Sequence, residues 1–89
     1  MDYSDKIKEE CDSIKEMLVE KNNSYGNSVF MPLNIFGVEV SSETSVLARI
    51  ADKLKRLNNL VSFNSEDSLF DLIGYLIILR IIRREKAEK

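Results

Sequence analysis

Between positions 69 and 82 the chain reads Leu-Phe-Asp-Leu-Ile-Gly-Tyr-Leu-Ile-Ile-Leu-Arg-Ile-Ile, apolar on nearly every side of a helix. A helix without a polar face has to be covered from several directions. The run is shorter than the roughly 20 residues that a bilayer span needs, and Asp71 and Arg80 interrupt it. It is therefore read as a core helix and not as a membrane anchor. Gly74 at its centre costs about 1 kcal/mol relative to Ala, and a close approach by another helix or by a ligand is the usual compensation.

What precedes this helix is too short to enclose it. From about 4 to 22, Ile7, Cys11, Ile14 and Leu18 recur on one face of an amphipathic helix, with Ser4 as the expected N-cap. From about 42 to 61, Val46, Leu47, Ile50, Leu54, Leu57 and Leu60 do the same after a cap at Ser41 or Ser42, with Glu43 near the positive end of the helix dipole. The third helix is expected over 65–84 after Asn64 and Asp67, and the charged end from Arg83 onward is expected to fray. The connection 23–41 carries Gly26, Pro32 and Gly37, yet also Val29, Phe30, Met31, Leu33, Ile35, Phe36 and Val38. A loop so apolar is expected to pack over the core or cover a ligand site, with a short strand or hairpin at 35–40.

The reading is a single α-helical domain spanning 1–89. Its fold class is all-α: a small antiparallel bundle of three main helices with a long apolar loop between the first two, completed by oligomerisation. Self-association follows because two helices cannot wrap the third, and an apolar face of that extent is a liability in a monomer.

Composition narrows the chemistry. The chain has no His and one Cys, which excludes Ser-His-Asp and Cys-His catalysis and His-ligated metal centres. Cys11 has no partner in the chain and is expected to act as a small buried hydrophobe in a reducing cytoplasm. No secretion signal or lipidation motif is visible, so a cytoplasmic, membrane-free protein is expected. Thirteen Lys and Arg against fifteen Asp and Glu leave a net charge of -2, which makes nucleic acid a poor partner and requires any anion site to come from local clustering.

Such a cluster exists on the second helix. Arg49, Asp52, Lys53 and Arg56 lie at i, i+3, i+4 and i+7 and project to one side. Two guanidinium groups and an ammonium around one carboxylate suit phosphate recognition; the competing reading is a solvated face of helical ion pairs. On the third helix Asp67, Asp71 and Tyr75 form a polar line. Asp71, flanked by Phe70, Leu72 and Ile73, needs a partner to offset desolvation: either Arg49, Lys53 or Arg56, or a divalent cation shared with Asp67, Glu66 or Glu20. Glu20, Lys21 and Tyr25 stand where the first helix meets the apolar loop. There a carboxylate, an ammonium and a phenol can converge on a ligand.

Three ordered segments, Glu20-Lys21-Asn22-Asn23-Ser24-Tyr25-Gly26-Asn27-Ser28, then 49–57 beginning Arg49-Ile50-Ala51-Asp52-Lys53, then 66–75 containing Asp67, Asp71 and Tyr75, resemble the nucleotide modification associated domain of the first type. That family occurs largely in phages and prophages and resembles the all-α nucleoside triphosphate pyrophosphatases of the MazG and dUTPase kind. The resemblance implies a phage-type nucleotide-handling protein. In the enzymatic form Glu20, Asp67 and Asp71 would hold Mg²⁺ and Asp52 and Asp71 would serve catalysis. Lys21, Tyr25, Arg49, Lys53, Arg56 and Tyr75 would bind nucleotide and phosphates. The alternative is an oligomer that sequesters a nucleotide or cyclic-nucleotide defence signal without cleaving it. The family's paired acids on one helix are absent from the second helix, and Asn27 stands where members often carry Asp.

Overall fold

The computed structural model describes residues 2–59 and 65–88, with side chains in the third helix from Ser68 onward. Its elements are α1 (Tyr3–Tyr25), a 3₁₀ turn (Ser28–Phe30), β1 (Leu33–Ile35), β2 (Val38–Val40), α2 (Ser42–Asn58) and α3 (Ser65–Ala87). This is the expected all-α architecture of three helices, with the hairpin inside the apolar connection. None of the helices is long and apolar enough, among the described residues, to cross a membrane.

The helix ends follow local chemistry with shifts from expectation. The Asp2 carboxylate, not Ser4, caps α1 by accepting from the Ser4 amide at 3.1 Å. The helix then continues through Asn22, Asn23 and Ser24 to Tyr25 and stops at Gly26, whose φ of 58° lets its amide donate to the Asn22 carbonyl. Ser41 caps α2 as expected, its hydroxyl oxygen accepting from the Thr44 amide at 3.1 Å. The helix ends at Asn58 instead of 61. The expected Asn64 cap lies outside the described residues, as does Leu60.

Side-chain pairings give the helix directions. Lys21 of α1 meets Asp71, while Leu18 and Met17, one turn back, face Gly74, one turn on. Lys53 of α2 also meets Asp71, whereas Glu43, at its start, meets Arg83 and Lys86. Both α1 and α2 therefore run antiparallel to α3 and parallel to each other. A parallel pair needs a connection that travels back along the helix, about 25 Å for the length of α2, which is why residues 26–41 are long. Their apolar side chains are partly spent on that journey: Val29 and Phe30 of the 3₁₀ turn pack against the core of Val46, Ile50, Leu72, Ile78 and Ile82.

The Gly74 expectation is met by a helix. A Cβ built there would lie 3.0 Å from Leu18 Cδ2 and 3.3 Å from Met17 Cε. Two other expectations are corrected. Cys11 is exposed, because α1 is uncovered from Asp2 to Ser13 and its first buried residue is Ile14. Arg83 and Lys86 do not belong to a frayed end, since α3 continues to Ala87 and both cations bind Glu43, at 3.0 and 2.8 Å.

Candidate functional site

The basic stripe of α2 forms one wall of a groove of about 410 Å³ whose other wall is the hairpin. Leu33, Ile35 and Val40 face Arg49, Asp52, Lys53 and Arg56 across it, with Thr44, Ser45 and Ala48 continuing the helical wall. The hairpin stands there because its register is set by Leu33↔Val40 and Ile35↔Val38 pairing and by a tight turn at Phe36 and Gly37, with φ of 50° and 84°. The Asn34 carboxamide oxygen accepts from the Gly37 amide at 2.9 Å and holds that turn.

The cations are not equivalent. Arg56 Nε lies 3.5 Å from the Asp52 carboxylate, an exposed pair one helical turn apart that holds the guanidinium only weakly. Lys53, which also lines the groove, pairs with Asp71 at 3.3 Å, and Lys21 comes to the other carboxylate oxygen at 3.7 Å. Asp71 is thus the meeting point of all three helices, half-buried and flanked by two ammonium groups. Of the partners expected for it, the structure supplies Lys53, and it adds Lys21, which the reading from residues had placed on the ligand side.

The remaining candidates are spread out. Glu20 lies on an outward strip of α1 with Lys15, Glu16 and Val19; every residue lining that depression comes from one helix, so it lacks a second wall. Tyr25 is exposed at the end of α1. Tyr75 is turned toward the core and packs beside it. Asp67 belongs to α3, but its side chain lies outside the described residues. Among the described residues no three His, Cys, Asp or Glu side chains converge. Lys21 and Lys53 stand at the two Asp71 oxygens, and Arg56 stands at Asp52.

The sequence expectation that the apolar connection packs over the core or covers a ligand site did not pair Leu33, Ile35 and Val40 with the cationic stripe, because they are ordinary apolar residues until the crossover lays them beside α2. It also missed the clamp at the opposite end. Two hydrogen bonds, from Lys86 and then Arg83, hold the Glu43 carboxyl below the usual carboxylate range. Compared with known protein families, curated proteins and solved structures, the chain matches none.

Proposed function

We propose that the groove between the hairpin and α2 binds a nucleotide or nucleotide-derived signal, its phosphates on Arg49, Lys53 and Arg56 and its base or sugar against Leu33, Ile35 and Val40. The observation that carries this reading is the division of one groove into a cationic wall and an apolar wall. Its volume of about 410 Å³ falls within the few hundred to 1,000 Å³ common for small-molecule sites. Arginine donates in a fork that matches phosphate oxygens, and lysine adds a point charge. Asp52 and Asp71 then orient Arg56, Lys53 and Lys21 instead of holding metal. The resemblance of segments 20–28, 49–57 and 66–75 to the phage nucleotide modification associated family supports nucleotide handling, and an anti-defence role in the cytoplasm of an infected bacterium is proposed with the sequestering alternative.

Sequestration is the reading favoured by the two lysines on Asp71; Mg²⁺-dependent pyrophosphohydrolysis is the competing outcome of the same experiment. Calorimetric titration with nucleoside triphosphates and cyclic dinucleotides, with and without Mg²⁺, followed by analysis of the recovered ligand, separates them. Tight binding of intact ligand establishes sequestration, and Mg²⁺-dependent release of pyrophosphate establishes an enzyme. Arg56→Ala is expected to weaken binding about tenfold or more, as for loss of a charge-assisted contact. Unchanged affinity in that variant, or no binding across the panel, would remove the groove as a nucleotide site.

A further inference from the structure

The chain is more open than its mass requires. Its accessible surface is 7274 Å², whereas a compact monomer of 10.2 kDa exposes about 5,300 Å². Its radius of gyration is 15.0 Å against about 12 Å for a compact domain of this length. The surplus of about 2,000 Å² exceeds the roughly 800 Å² that each partner contributes to a standard stable interface.

Part of that surface is apolar and lies on α1 and α3. α1 crosses α3 at Gly74, where Leu18 and Met17 close in. Toward its N-terminus the same apolar stripe of α1 continues through Cys11, Ile7 and Tyr3, since these lie on the helix face that carries Ile14 and Leu18. There the cover ends: Ile7 is 61% exposed and no residue from Asp2 to Ser13 is buried. On α3 the face that Gly74 presents to α1 continues through Ile77 and Ile81 at i+3 and i+7, and both are exposed. Past the contact at Gly74 two apolar walls therefore stand uncovered, the Tyr3, Ile7 and Cys11 stripe of α1 and the Ile77 and Ile81 face of α3.

We infer that these two walls border a notch that is the interface for a second copy of the chain, each copy laying its α1 arm (residues 3–13) into the notch of the other. The occupant follows from reciprocity. The stripe of Tyr3, Ile7 and Cys11 is one wall of the notch and also an apolar helix of the length needed to fill it. Two chains related by a two-fold axis then cover both notches at once and leave no open end. The arm carries Lys6 and Lys8 beside Asp5, Glu9, Glu10 and Asp12, charges of both signs with a net of -2. The assembly places α1, α3 and their counterparts in a four-helix arrangement and gives the apolar third helix the cover its own chain lacks.

Sedimentation equilibrium of the full chain at micromolar concentration tests this. The wild type is expected at about 20 kDa, two copies. Ile7→Asp is expected to sediment as the 10.2 kDa chain with an unchanged helical circular dichroism spectrum, because Ile7 is exposed in its own chain. Val38→Asp on the exposed hairpin is expected to remain a dimer, and a maleimide is expected to label Cys11 faster in Ile7→Asp than in the wild type. A monomeric wild type, an assembly of more than two copies, a dimeric Ile7→Asp, or dissociation by Val38→Asp with Ile7→Asp unaffected would each overturn the assignment.

Discussion

Phe36 occupies a position that its side chain disfavours and that nothing in the chain rewards. Its φ of 50° lies in the left-handed region, where Cβ crowds the backbone and where Asn, Asp or Gly is usual in a two-residue hairpin turn. The ring is fully exposed, at 102%, so no buried contact offsets the strain. Phe36→Asn is expected to stabilise the protein by about 1 kcal/mol, read as a higher urea midpoint at unchanged slope. A lower midpoint would mean that the ring is held by something other than this chain. Asp71 shows the opposite case, a residue whose surroundings explain it. Its need for a cation was legible from its apolar neighbours, as was Lys53 among the possible partners. Lys21 was not, because its approach depends on how α1 lies across α3.

At the scale of elements, α3 is held by the Asp71 ion pairs and by two further junctions, one steric and one ionic. The steric junction is Gly74, where α1 comes too close for a larger side chain. Gly74→Val is expected to destabilise by about 2 kcal/mol through overpacking, despite the better helix propensity. Adding Leu18→Ala should recover part of the loss, and a double-mutant cycle in urea measures the coupling. The ionic junction is Glu43 with Lys86 and Arg83. Because its carboxyl is held below the usual range when folded, its contribution is present above its unfolded value and is lost as pH falls through the folded one. Stability should therefore fall on acidification in that window, and Glu43→Gln should show a shallower acid dependence with a lower urea midpoint at neutral pH. The amphipathic periodicity of α1 and α2 was enough to read both helices. The extension of α3 to Ala87 was not, since only the partner at the start of α2 makes a charged end worth ordering.

For the whole molecule, the enclosed core is small and the surface large for the mass. If the α1 arms bind each other's notches, the thermal midpoint is expected to rise with protein concentration, because mass action favours the folded dimer; Ile7→Asp should lose that dependence. Differential scanning calorimetry over a tenfold concentration range decides it. The hydropathy pattern by itself determined that the chain is helical, that its third helix needs cover from several sides, that a cationic stripe lies along the second, and that Gly74 marks a close approach. All of these depend on spacing along one element, which periodicity records. Tertiary structure alone decided that α1 and α2 run parallel, that the long connection lays an apolar hairpin against the cationic stripe, and that Asp71 sits between two lysines. Cys11 and Ile7, whose spacing reads as core, are exposed for the same reason: a stripe states which side of a helix seeks burial, but whether another element reaches it is decided by tertiary packing, and α1 packs closely on α3 around Gly74 instead.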